Sequence, residues 1–376
     1  MNARELFLRT MAYEPVDRLP VLALEPFEQT AIERWRKEGL PKDADPVQFL
    51  GMSRLVNAPV NLGPIPAFEH RIVAEDEETY TEITGMGATV RRRRDNPTMF
   101  YGHVDHPIKT RADWEDYKQR FKAASPGRIP KGGRRWLASD APCPLAAQGS
   151  GSDAAVVPRL NASPDPVGLG LFPFFFRFCF YSMGMERFLS GFYETPDLMH
   201  EIFAHLSGFI METIRPVLET VKLDYALITE DLSGKNGPMV SPRIYEEFWY
   251  PYQDPILTML RDHGVPLICQ WTAGQFEVLL PGMLEHGFNC TWPLEVMAGM
   301  DAPALRRRFG RDLRMGGNIA KEAVIAGPEA IDREIERLMP LMREGGFIPA
   351  LDDMASPDMP FSHYRHMIER LQGIHL

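Results

Sequence analysis

The chain has 376 residues, of which 44% are hydrophobic and 24% charged, ordinary usage for a globular protein able to bury a core. Its net charge of -10 opposes nucleic acid and membrane surfaces as partners, since both need a positive field. The four cysteines, Cys143, Cys179, Cys269 and Cys290, form no Cys-x-x-Cys pair or dense framework. The N-terminus also lacks the apolar stretch of a signal peptide, and no run reaches the roughly 18 apolar residues of a membrane span. A cytoplasmic protein with reduced thiols is therefore expected.

In chain order, residues 4–12 predict a short helix and residues 19–24 a first strand. The basic run Arg91 to Arg94 reads as a solvated strand end or loop, since charge runs are usually solvated. Residues 125–166 are rich in Pro, Gly and Ser, include Gly149-Ser150-Gly151-Ser152, and predict a long loop or lid beside a pocket. Residues 167–181 are the most apolar run, broken by Pro173 and Arg177, and read as a buried strand and turn. Residues 183–189 and 196–221 predict two helices.

The C-terminal half repeats a simple unit: a short apolar run, a polar or acidic residue, then an amphipathic stretch of helix length. Residues 225–229 lead to Glu230 and Asp231, 265–269 to Trp271, and 288–292 to Glu295. Residues 313–315 lead to Gly317 and Asn318, and 347–351 to Asp352 and Asp353. Ser241-Pro242 supplies a cap and first-turn proline for a helix that Pro251 and Pro255 must kink or split. A helix from Pro328 runs to Gly345-Gly346, and a last helix follows Ser362.

Five such units in succession predict an α/β fold, a (β/α)8 TIM barrel with an N-terminal helical extension and a long lid, spanning residues 1–376 as one domain. Residues just after the strands converge on one mouth, which makes Glu230, Asp231, Glu295, Asp352 and Asp353 the catalytic candidates. Trp271 and Asn318 join them as substrate-binding candidates. Crowded carboxylates raise one another's pKa unless a proton or cation is present, so a general acid, a metal or a cationic ligand would each explain them. Some also read as helix caps, and Asn318 as turn chemistry. Arg177 in its apolar run needs an anionic partner, either an ion pair or substrate. His286, His363 and His366 read as structural, and Cys269 and Cys290 as buried strand residues.

These segments resemble the uroporphyrinogen decarboxylase superfamily over nearly the whole chain. The likeness starts at Arg4-Glu5-Leu6 and Pro15-Val16-Asp17-Arg18-Leu19-Pro20-Val21. It continues through Met183-Gly184-Met185-Glu186, Glu230-Asp231 followed by Gly237-Pro238 and Ser241-Pro242, and Pro293-Leu294-Glu295 with Ala298-Gly299-Met300-Asp301. Gly317-Asn318-Ile319 and Gly345-Gly346-Phe347-Ile348 before Asp352-Asp353 complete the order. The resemblance implies a deep pocket at the C-terminal mouth.

The family's two activities each have a signature that is missing. Where the decarboxylases carry an Arg-Gln-Ala-Gly-Arg-Tyr segment after the first strand, this chain reads Leu24-Glu25-Pro26-Phe27. Where zinc methyltransferases of methylated corrinoids carry His-x-Cys-Gly, it reads Trp271-Thr272-Ala273-Gly274, which leaves the metal unknown and zinc open. The resemblance then implies methyl transfer between a small substrate and cobalamin or a partner corrinoid protein. In that expectation Glu230, Glu295 and Asp352 or Asp353 protonate the leaving group or hold a hard metal, and Trp271 forms an apolar wall. The alternatives are a decarboxylase of a smaller acid held by Arg177, and a non-catalytic ligand- or corrinoid-binding barrel. A homodimer is a further expectation from the superfamily.

Overall fold

Strands and helices alternate along most of the chain, and the strands gather into one parallel sheet with an antiparallel sheet beside it. The structure, a computed structural model, describes residues 1–95, 101–129 and 156–376. In the first part of the chain the strands are β1 (Leu22–Ala23), β2 (Ser53–Arg54), β3 (Val56–Asn57), β4 (Arg71–Glu75), β5 (Thr79–Ile83), β6 (Thr89–Arg93) and β7 (Tyr101–Asp105). They continue as β8 (Val167–Leu171), β9 (Tyr225–Thr229), β10 (Ser233–Gly234), β11 (Gly237–Pro238), β12 (Leu267–Trp271), β13 (Cys290–Trp292), β14 (Arg314–Ile319) and β15 (Phe347–Leu351).

The parallel sheet has the order β15-β14-β13-β12-β9-β8-β3. β1 pairs in parallel with β2, which is separated from β3 only by Leu55, so β2 and β3 act as one interrupted strand. β1 in turn lies against β15, and just beyond both strands Phe27 bridges Ala355 in parallel register. Eight strand positions in sequential order therefore curl into a TIM-barrel-like fold, as the βα rhythm predicts.

Two apolar layers hold the barrel. Leu24, Leu227, Cys269, Trp292 and Ile348 point into the lumen, where Phe7 and Met11 of helix Ala3–Met11 close the N-terminal end. Tyr225 lies across the lumen over Gly168, and its hydroxyl donates to the Val56 carbonyl and to Asn57 Oδ1. The larger outer layer packs strands against helices such as Pro196–Leu218, Pro328–Glu344 and Phe361–Gln372. Among the described residues no helix is long and apolar enough to cross a membrane.

Several local expectations are met. Ser241 accepts the Ile244 N–H and starts helix Pro242–Phe248, and the chain splits before Pro251 into a second helix, Tyr250–Asp262. Others are revised. The run at residues 167–181 is strand β8 followed by helix Phe175–Met183 rather than a strand and turn, since a run this apolar does not reveal a helix by periodicity. The first strand shrinks to Leu22–Ala23. Strands β4, β5, β6 and β7 form an antiparallel sheet that the sequence expectations do not include. Arg91 and Arg93 do face solvent from β6, whereas Arg92 is buried and paired with Glu82. Of the expected lid, residues 156–161 are helical, while Cys143 and Gly149-Ser150-Gly151-Ser152 lie outside the described residues.

Candidate active site

The C-terminal strand ends carry a connected set of side chains. Arg177 sits in the first turn of the helix after β8. Its Nη2 lies 3.0 Å from Asp231 Oδ2, at the end of β9, and its Nη1 donates to the Tyr181 hydroxyl at 3.1 Å. The guanidinium also lies 5.5 Å from the Trp271 ring centre and 5.9 Å from that of Phe172, within cation–π range. Trp271, the last residue of β12, then donates its indole N–H to Glu25 Oε1 at 2.8 Å. β1 and β12 stand opposite each other in the barrel order, so this bond spans the mouth.

Glu25 is the residue whose importance the sequence reading missed; the acidic Leu24-Glu25-Pro26-Phe27 entry was its only signal. Its side chain is 94% buried, given a relative exposure of 6%. Oε2 has no hydrogen-bond partner among the described residues. Burial pushes the carboxyl well above the usual range; the Trp271 bond opposes this, and the nearby Asp353 and Asp352 charges reinforce it. The group also borders a small cavity between β1, β15 and helix Phe361–Gln372.

The carboxylates expected to face substrate are mostly committed to the framework. Glu230 is fully buried and accepts the backbone N–H groups of Phe176 (3.0 Å) and Arg177 (3.1 Å) and the indole N–H of Trp249 (3.2 Å). It thus caps the helix that carries Arg177, which precedes it in the chain, rather than a helix that follows it. Burial pushes its pKa up to about 7 against those hydrogen bonds. Asp352 likewise accepts the N–H groups of Val296 and Lys321, both at 2.9 Å, and burial raises it to about 7. Glu295 accepts the Gly274 N–H at 2.9 Å, joining two rim loops, and Asp353 pairs with Lys321.

Asn318 lies within β14, paired with Ala350, rather than in a turn. It adopts φ 65°, its amide donates to the carbonyls of Leu294 and Met300, and its Oδ1 accepts from Ala302 N–H and Arg337. The chain of contacts across the mouth thus comprises Arg177, Asp231, Trp271 and Glu25, with Asp352 and Asp353 near enough to Glu25 for their charges to act on it.

The antiparallel sheet follows the second barrel strand position, on the mouth side. From it, His103 stacks on His106 and on Tyr181, the residue that receives the Arg177 hydrogen bond. Burial lowers the His103 pKa to about 4, so its imidazole is neutral at physiological pH. The three histidines read as structural have these partners: His286 contacts Asp254 and stacks on Tyr250, His363 contacts the Val324 carbonyl, and His366 contacts Asp332. Among the described residues no three His, Cys, Asp or Glu side chains group as metal ligands. At the Trp271–Gly274 turn, Thr272 Oγ1 instead accepts the Leu232 N–H. The turn does not fit a zinc centre, and no catalytic step is assigned to one.

Comparison with known proteins agrees with this architecture. The chain is 26% identical over 156 residues to a uroporphyrinogen decarboxylase from Nocardia farcinica, a match covering 41% of this chain and 40% of the relative. The aligned part thus spans less than half the length of that curated relative. A solved methyltransferase from Methanosarcina mazei superposes with a TM-score of 0.62, covering 99% of this chain and 98% of the other, at 13% identity; that likeness concerns the fold. The sequence model of the uroporphyrinogen decarboxylase (URO-D) family matches residues 176–374, more than half of the chain. With that match, and with neither the arginine segment nor the His-x-Cys turn present, the chain belongs to the uroporphyrinogen decarboxylase family as a divergent member.

Proposed function

We propose that this protein is an enzyme that moves a methyl group from a small methylated substrate, an amine, ether or phenol derivative, to cobalamin or to a corrinoid carried by a partner protein. The observation behind this reading is the carboxyl-bearing mouth, where buried Glu25 is bonded to Trp271. A porphyrinogen bearing many carboxylates would find no guanidinium in the Leu24-Glu25-Pro26-Phe27 segment, where the decarboxylases place arginines, and its charges would be left unpaired. A small neutral or cationic methyl donor suits the same mouth. Trp271 and Phe172 supply an apolar wall for its body, and Arg177 is fixed by Asp231 and Tyr181 beside that wall. The corrinoid is the methyl acceptor here, a second substrate rather than a resident group.

The test is to mix the protein with cob(I)alamin and a panel of methylated amines, ethers and phenols and to follow methylcobalamin by absorbance. Donor-dependent formation is expected; none across the panel refutes the reading. Decarboxylation of a smaller acid is the second reading. It is favoured by the guanidinium of Arg177 at the mouth, which can hold a carboxylate once Asp231 yields it. Release of carbon dioxide from a candidate acid without corrinoid would select it.

A further inference from the structure

We infer that Glu25 is the catalytic acid of this site and that the methyl group leaves an oxygen atom, so that the substrate class is a methyl ether, with an aryl methyl ether matching the aromatic wall. This rests on the methyl-transfer reading and adds the identity of the leaving atom.

The geometry carries the inference. One oxygen of Glu25 is fixed by the Trp271 indole N–H, while the other has no partner among the described residues and is closed off from solvent. An ionised carboxylate in that state would be costly, so the group keeps its proton. The charged groups acting on it, Asp353 and Asp352, are acidic and favour the same form. The other acids of the mouth are engaged: Glu230, Glu295 and Asp352 accept backbone N–H groups, and Asp231 and Asp353 pair with Arg177 and Lys321. Glu25 alone among them offers an uncommitted proton.

Leaving-group chemistry then selects oxygen. A quaternary ammonium donor departs as a neutral amine and needs no proton, whereas an ether oxygen departs as an alkoxide or phenoxide unless it is protonated as the bond breaks. In the reaction, the reduced corrinoid acceptor supplies the electron pair of the new bond to the methyl carbon. The carbon–oxygen bond breaks, its electron pair passes to oxygen, and oxygen takes the Glu25 proton. The products are an alcohol or phenol, the methylated acceptor and Glu25 carboxylate, which regains a proton from solvent.

The experiment compares wild type with Glu25→Gln, which keeps the shape and can still accept the Trp271 N–H. The donors are methoxybenzenes of graded phenol acidity and tetramethylammonium, with cob(I)alamin as acceptor. For methoxybenzene itself, kcat should fall roughly 100- to 10,000-fold in the variant while KM changes by less than about threefold. The loss should shrink for 4-nitromethoxybenzene, whose phenoxide leaves unaided. The wild-type minus variant infrared difference spectrum at pH 7 should contain a protonated-carboxyl band, distinct from those that Glu230 and Asp352 give in both proteins, with circular dichroism confirming the fold. An equal loss across all donors, or no protonated-carboxyl band in that difference spectrum, overturns the assignment. Turnover of tetramethylammonium with no ether accepted leaves methyl transfer standing and refutes the ether; no turnover with any donor refutes both.

Discussion

Glu230 shows how a single buried acid links local structure to solution behaviour. It holds three N–H groups that would otherwise be unpaired, yet burial raises its pKa from 4.5 to about 7. The sign follows from proton linkage. Between the unfolded and folded pKa values the folded protein binds more protons than the unfolded chain, so stability falls as pH rises from about 5 to about 7 and then levels off. A shift of this size corresponds to about 3 kcal/mol. Glu230→Gln, with no titrating proton, should lose a comparable part of the pH dependence when urea unfolding is compared at pH 5 and pH 8. It should also be less stable at pH 5, because an amide presents one acceptor oxygen to three donors. An unchanged slope between the two pH values would show that Glu230 is not the titrating group. The sequence placed this residue correctly after a strand, because an acid ending an apolar run is a local signal. Its partners Phe176 and Arg177 lie more than fifty positions earlier, so its capping role was not local information. Glu25 is the converse case: its address was visible, but its bond to Trp271 crosses the barrel.

At the level of elements, legibility follows periodicity. Helix Pro328–Glu344 and strand β15 were readable because Ile331, Ile335, Leu338 and Leu341 recur at helical spacing and Gly345-Gly346 stops the run. The antiparallel sheet was not, because every residue of β4 is exposed and the strand therefore lacks an apolar and a polar face. Helix Phe175–Met183 was hidden by the opposite cause, burial on nearly all sides. In strand β8, Gly168 stands where any Cβ would lie 2.2 Å from the Tyr225 ring. Gly168→Ala must displace a ring whose hydroxyl is bonded to Val56 and Asn57, and should cost about 3 kcal/mol in chemical denaturation. The double variant with Tyr225→Leu should show strong non-additivity, since the second change removes the obstacle. Simple additivity would mean that the close approach is not the source of the loss.

For the whole molecule, the matched family segment and the barrel-like set of strands do not coincide. Residues 176–374 contain β9, β12, β13, β14 and β15 but lack β1, β2, β3 and β8 and the helix that plugs the lumen. Without those parts, one edge of β9 loses its β8 partner, and Leu227, Cys269, Trp292 and Ile348 face an open side. The mouth is divided in the same way, since Glu25 comes from the missing part and Trp271 from the matched one. A barrel hides its sheet edges only when it closes, and an uncovered apolar face with an unpaired edge favours aggregation over folding. A fragment of residues 176–376 should therefore show no near-ultraviolet circular dichroism and no slow-exchanging amides, while the full chain unfolds cooperatively. Mixing this fragment with residues 1–175 should restore structure if the two halves complete one barrel. A fragment of residues 176–376 that folds cooperatively by itself would instead show that the chain contains two separable units, and the single-barrel reading would fall.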